Sequence, residues 1–512
     1  MPTFGGAAFL CISSALKISR KLLEPLQKMQ VSKKNDTFPI SEAWFIISLF
    51  IFVSVILLTV GAIGSKLLSI IFPLGAFIVA WYLYFRYPFL YIGFVWWLMF
   101  LTPFVRRLAD FRTGSFTDSN PLLIAPTLAI LVAAHTMYFN LSKSREQGTI
   151  PFVLAMASVM YGYCVGLLNP SSTPLKATLA CLGWLTPILF GYHLYVNWRR
   201  YPEYSQVIKK IFLWGSLIVG IYGVYQYVVA PEWDKLWLVG SKMDGSAGRP
   251  VAYGMRVWST LNSPGPFADM MATSLLVLFS SRSPLTIPSA VAGGLSFLFS
   301  AVRTGWLGWV GGLIFYLFSL KSKQQMRLIS TLLFLFVLII PLTTIEPFST
   351  NITTRLNTLG DLENDNSAQV RRMIYEGFFN YGIYNFIGDG LGVNGTVDAG
   401  VLSFILDLGW IGTLPYLGSL LLGGTILFIN LKKYSDLFIN ISCAVLVKSL
   451  AFFLAARATA GIHGVLIWTF LSMGLAGQRY LSYQQSVSND VAGILESDFG
   501  KDQVATSLPP EK

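Results

Sequence analysis

The sequence predicts an all-α fold: a polytopic integral membrane helix bundle of about 12–14 transmembrane helices, with two larger outward-facing loops. Three observations carry this expectation. Of the 512 residues, 54% are hydrophobic and only 12% are charged, where ordinary soluble domains carry about 25% charged residues. The apolar residues gather in recurring runs of roughly 17–25, each long enough to cross ~30 Å of hydrocarbon. These runs are long and uniform, unlike the short alternating segments of a β-barrel. Backbone in hydrocarbon must satisfy its own hydrogen bonds, so the runs are helices.

Residues 1–42 form a basic N-terminal segment. Its apolar stretch, Phe4 to Leu16, precedes the cations Lys17, Arg20, Lys21, Lys28, Lys33 and Lys34. That order is the reverse of a cleavable signal and reads as an amphipathic surface helix over 4–34. Spans one to seven fall at 43–64, 67–85, 88–105, 121–140, 150–168, 174–197 and 211–230. An outer loop at 231–264 separates them from spans eight to eleven, at 265–281, 285–301, 304–320 and 328–345. A large outer loop, 346–396, carries a short surface helix over 367–380 and leads to the last three spans, at 397–430, 437–456 and 462–480. The first of these is overlong, which implies a surface start or a break near Pro415. The segment 481–512 is polar and reads as a disordered cytoplasmic tail.

Orientation follows from Lys and Arg in short loops. Besides the N-terminal segment, Lys143/Arg145, Arg199/Arg200/Lys209/Lys210, Lys321/Lys323/Arg327 and Lys432/Lys433 alternate onto one side, which makes both termini cytoplasmic. The net charge of +12 sits at span ends, so it speaks for anionic membrane lipid and against nucleic acid. The four cysteines form no CxxC pair, and His135, His193 and His463 are far apart in sequence; they suggest no metal site. Against the positive-inside trend, Arg256, Arg303, Arg355, Arg371, Arg372 and Arg457 fall on the outer side. They either pair with acidic residues such as Asp361, Glu363 and Asp365 or form an outward-facing anion site.

Three motifs lie on that side. Arg256-Val-Trp-Ser-Thr-Leu-Asn262-Ser-Pro-Gly-Pro-Phe-Ala-Asp269 closes the first outer loop and enters a span. Phe299-Ser-Ala-Val-Arg303-Thr-Gly-Trp306 is a tight hairpin whose arginine is either a snorkelling cation or a ligand. The third runs from Arg355 through Ser367…Arg371-Arg372 and Ile387-Gly-Asp-Gly-Leu-Gly392 to Asp398…Gly409-Trp-Ile-Gly412. Asp398 there suits a helix cap or a base.

In their order and shared face, these motifs resemble the O-antigen ligase and O-antigen polymerase superfamily over roughly residues 210–425. The resemblance implies a metal-independent glycan transferase with no cofactor, working at the outer face of the bacterial inner membrane. Its donor would be a lipid-diphosphate-linked (undecaprenyl-type) saccharide and its acceptor a glycan or a lipid-linked glycan. Chain-length regulators or export proteins would be its protein partners. It also implies that Arg256, Arg303, Arg371 and Arg372 hold the diphosphate, since guanidinium forks bind phosphate bidentately. Arg303, Arg371 and Asp398 then form the catalytic set, Asp398 as general base. Where ligases usually place a histidine this chain has Asp398, which favours polymerase over ligase. Asp269 and Asp407 are weaker base candidates set deeper in spans. The alternative is a lipid-linked oligosaccharide flippase or other polysaccharide transporter, for which Lys448 in mid-span is the main argument.

Overall fold

A computed structural model describes residues 40–141, 148–339, 372–373, 375–377, 379, 382–394, 400–455 and 460–505. Among these the protein is an all-α, multi-pass membrane helix bundle with no strands, only one isolated bridge between Gly248 and Met255. The expected N-terminal surface helix over 4–34 and most of the large loop lie outside the described residues.

The helices follow the apolar runs closely. They are α1 (Ile40–Thr59), α2 (Ala62–Arg86), α3 (Pro88–Thr113), α4 (Pro121–Asn140, opening as a 3-10 turn), α5 (Ile150–Leu168), α6 (Pro174–Val196) and α7 (Tyr201–Val229). After α8 (Glu232–Gly240) come α9 (Pro264–Leu278), α10 (Thr286–Phe299), α11 (Arg303–Ser319) and α12 (Ser322–Ile339). The last are α13 (Gly400–Asn430), α14 (Leu437–Ala455) and α15 (Gly461–Ala505). Proline opens α3, α4, α6 and α9, where its missing N–H costs nothing. Asn120 and Thr173 cap two of these starts by accepting the N–H of Leu122 (3.0 Å) and Lys176 (3.3 Å).

Eight of the helices are long and apolar enough to cross a membrane. Two of the expected spans are shorter: α9 has 15 residues and α10 has 14, about 22 and 21 Å at 1.5 Å per residue. The chain reaches α9 through irregular backbone whose residues Val257 to Leu261 are all buried. Such backbone is tolerated at membrane depth only when protein encloses it.

The chain divides into two compact units, residues 1–47 with 481–512, and residues 48–480. In the first, the described residues are helical, and here the expectation of a disordered tail is corrected, because α15 continues to Ala505. No proline interrupts it, and Val487, Val491, Ile494 and Leu495 recur at helical spacing.

In the second unit the bundle is organised around α9. All of its residues except Gly265 and Pro266 are buried, and it packs against α7, α10, α11 and α14. Helices α11 and α14 run antiparallel at very close range. A Cβ added at Gly308 would lie 2.8 Å from the Lys448 carbonyl oxygen, and one at Gly312 2.7 Å from that of Ala444. On the other side α5, α6 and α13 form a second group, with the rings of Trp184, Phe404, Tyr416 and Trp468 packed together between them and α15.

Two further expectations are corrected. The break in 397–430 is at Gly409 (φ 59°), not near Pro415. The turn at Gly409 leaves the carbonyls of Leu406 and Asp407 free to accept the N–H groups of Asp389 (2.7 Å) and Gly390 (3.1 Å). The glycine run 388–392 is thereby threaded against the kink, with φ of 84°, 88° and 91° at its three glycines. The 231–264 connection, expected as a loop, is a folded cap built from α8, the single turn Asp244–Ala247 and the Gly248–Met255 bridge.

The α11–α14 contact is open to a direct test. Gly308→Leu should destabilise the protein by about 1–3 kcal/mol through overpacking. Gly311→Leu, where nothing lies within 4 Å of an added Cβ, should leave thermal unfolding of the detergent-solubilised protein unchanged.

Candidate functional site

The cap is fixed to the bundle by a buried ion pair. Arg107 of α3 and Asp234 of α8 are both fully buried and meet at 2.6 Å. The Asp234 carboxylate also accepts from Tyr222 (2.8 Å) and from the Gln226 amide (2.8 Å) of α7. The other end of the Gln226 amide accepts the backbone N–H groups of Trp258 (3.0 Å) and Ser259 (2.8 Å), and Arg107 donates to the Ser259 carbonyl. Burial pushes the Asp234 carboxyl above its ordinary value, while the Arg107 guanidinium and the Tyr222 and Gln226 donors pull it down. Next to it, Arg106 pairs with Asp110 at 3.0 Å, and Asn120 donates to the same carboxylate. The arginines at 106 and 107 therefore belong to the frame.

Arg256 leaves this cap and donates from three nitrogens to three carbonyls: Nε to Ser300 (3.1 Å), Nη1 to Ser246 (2.7 Å) and Nη2 to Ala301 (2.9 Å). It clamps the hairpin between α10 and α11, where Ala301 has a positive φ of 51°. The next residue but one is Arg303, the first residue of α11. Gly305, half a turn on, fits against Ala268, the residue that precedes Asp269.

Asp269 is the centre of the arrangement. It is 2% exposed, and each carboxylate oxygen has a cationic or imidazole partner. Lys448 of α14 donates to Oδ1, and Nδ1 of His463 of α15 lies 2.5 Å from Oδ2. Lys448 is completely buried; its ammonium also donates to the Thr273 hydroxyl (2.9 Å) and the Asp269 carbonyl (3.4 Å). Three helices thus bring an acid, an amine and an imidazole to one point, within two turns of the ends where α9 and α15 begin. Phe452 packs under both partners, its ring 5.5 Å from the ammonium and 5.3 Å from the imidazole centroid.

The residues singled out in the sequence separate into groups. Arg256 binds the carbonyls of the hairpin that ends at Arg303. Arg372 lies on an exposed helical stretch and pairs with Glu376 at 2.9 Å, with 82% of its side chain in solvent. Arg371, Asp398, Arg355 and Arg457 lie outside the described residues. Asp407 is buried at the Gly409 kink, where it receives the Asn394 amide at 3.4 Å, and it belongs to the glycine clamp. The Asp269–Lys448–His463 contact was not legible as a unit, because its members are separated by 179 and 194 positions. The available signal was that each is an ionisable residue inside an apolar run. His135 and His193, although distant in sequence, are also linked, through Tyr84 and Thr136. Among the described residues no group of three His, Cys, Asp or Glu side chains could hold a metal.

Compared with known proteins, the chain matches no family model and no curated sequence significantly.

Lys448→Met should destabilise the fold by about 3–5 kcal/mol, because it strips a buried carboxylate of its cation. Adding Asp269→Asn should recover most of the loss. Denaturant titration of the purified protein in detergent reads both.

Proposed function

We propose that this protein is a glycan transferase of the bacterial inner membrane. It takes a saccharide from a polyprenyl diphosphate at the outer face and passes it to a growing surface polysaccharide, as a polymerase in preference to a ligase. The observation that carries this reading is the buried Asp269–His463 pair near the start of α9, which packs against α11, the helix that Arg303 begins. Departure of a diphosphate requires fixed positive charge, and attack by a sugar hydroxyl requires a proton acceptor. Both kinds of group are available here. Arg256 supports the site by fixing the hairpin that presents Arg303, and Arg371 supplies a second guanidinium from the large loop. Arg372 has a lesser part, since it is exposed and paired. Both termini are assigned to the cytoplasm on the distribution of Lys and Arg.

One observation favours a second reading, a flippase or polysaccharide transporter. Lys448 and Asp269 are an ionisable pair buried in membrane-embedded helices, which is where coupled transporters keep such groups. The two readings differ in what a deletion strain accumulates. Loss of the transferase leaves lipid-linked saccharide in the outer leaflet of the inner membrane, with surface polysaccharide reduced to single units. Loss of a flippase leaves it in the inner leaflet. Lipid-linked saccharide confined to the inner leaflet overturns the transferase reading.

Arg303→Lys should accumulate normally yet make at least tenfold less polymer, because a point charge cannot replace a bidentate fork. A cysteine at Lys235, on the cap, should react with a membrane-impermeant maleimide applied from the periplasmic side; complete protection would reverse the orientation.

A further inference from the structure

We infer that His463 is the residue that takes the proton from the acceptor hydroxyl, held in the required tautomer by Asp269, whose negative charge Lys448 maintains. This rests on the transferase reading above and replaces Asp398 as base.

The inference follows from counting donors and acceptors. Lys448 has three N–H bonds and three acceptors: Asp269 Oδ1, the Thr273 hydroxyl and the Asp269 carbonyl. Its donor capacity is exhausted inside the bundle. Both oxygens of Asp269 are also engaged, one by the ammonium and one by the imidazole, and the side chain is 2% exposed. Asp269 can therefore neither reach a substrate nor accept its proton without breaking the ion pair.

His463 is different. An ionised carboxylate only accepts hydrogen bonds, so the 2.5 Å contact requires Nδ1 to carry the hydrogen. In the neutral ring that leaves the lone pair on Nε2. No described residue bonds to Nε2, and the side chain keeps 9% exposure in the first turn of α15. Phe452 fixes the plane of the ring from below. The charged groups that the described elements bring to the imidazole are Asp269 from α9 and Lys448 from α14, and the first binds it while the second binds the first. Among the described residues the order amine, carboxylate, imidazole ends at Nε2, and that is the end that takes the proton.

In the transfer step the acceptor O–H proton moves to Nε2 and the oxygen's electron pair forms the bond to the anomeric carbon. The bond from that carbon to the diphosphate oxygen breaks, and its electron pair leaves with the lipid diphosphate, whose charge Arg303 balances. The imidazolium is stabilised by Asp269 until it passes its proton to water.

The test uses full-length protein in proteoliposomes, with lipid-linked saccharide extracted from the deletion strain as both donor and acceptor. His463→Gln should retain the labelled lipid as the wild type does and unfold at a similar temperature. Its polymer formation should fall by about 10²–10⁴-fold, the usual contribution of an acid–base group. The acidic limb of the wild-type pH–rate profile should disappear in this variant. The double variant Asp269→Asn/Lys448→Met removes both charges together and leaves none buried alone; it should shift that limb and slow transfer while lipid retention persists. A His463→Gln protein that polymerises at near wild-type rate, or keeps the acidic limb, overturns the role of His463 and leaves the transferase reading intact. Should that variant fail to fold, an unchanged limb in the double variant overturns it equally. A wild-type protein that retains the lipid but forms no polymer overturns the transferase reading itself.

Discussion

The bundle depends on one contact, the carboxylate of Asp269 between Lys448 and His463. Taking a carboxylate and an ammonium out of water costs several kcal/mol per ion, and only close pairing with full hydrogen bonding offsets it. That requirement ties three helices to one register. α9 must present Asp269 and Thr273 one turn apart on one side, α14 must bring Lys448 to the same height, and α15 must begin where His463 can reach the remaining oxygen. A slip of one residue in any of them would leave a charge unpaired. The glycines of α11 serve the same register, since only at Gly308 and Gly312 can the backbone of α14 come close enough to hold Lys448 over α9.

A second buried pair repeats the device at the cap. Arg107 and Asp234 hold α8 against α3, and the Gln226 amide continues the network into the backbone that leads to α9. The path to Asp269 is thus fixed from both ends, by Arg107 through Ser259 and by Arg256 through Ser300 and Ala301. Two of the arginines on this face therefore bind protein carbonyls and carboxylates. Arg303 begins α11 just after the hairpin that Arg256 holds.

The helices were legible in the sequence because burial in hydrocarbon leaves a one-dimensional record, a run of apolar residues of fixed length. Each run overlaps helix among the described residues, and eight of these helices are long and apolar enough to cross a membrane. The kink at Gly409 was not legible, because its cause is the approach of residues 388–390, and proline at 415 was the more visible local signal. The helical tail is hard to read from its sequence because its polarity outweighs the helical spacing of its few apolar residues. At the site, Arg303 could be found from its motif, being an arginine in a tight hairpin. His463 could not. Its importance lies in a partner on another helix, and nothing within its own run reports that partner.

The two short helices have a consequence for the surrounding lipid. Ile287 and Val291 are exposed on α10, so that wall of the protein meets acyl chains directly. A wall about 21 Å tall beside α7, which packs against it and is about 43 Å long, produces hydrophobic mismatch on one flank. Lipids there are drawn thin at a cost of fractions of a kcal/mol per Å. Polar headgroups consequently sit several ångströms deeper beside α10 than around the rest of the circumference. Membrane thickness thus becomes a physical variable of this protein: thicker bilayers strain this flank first, and thinner ones relieve it.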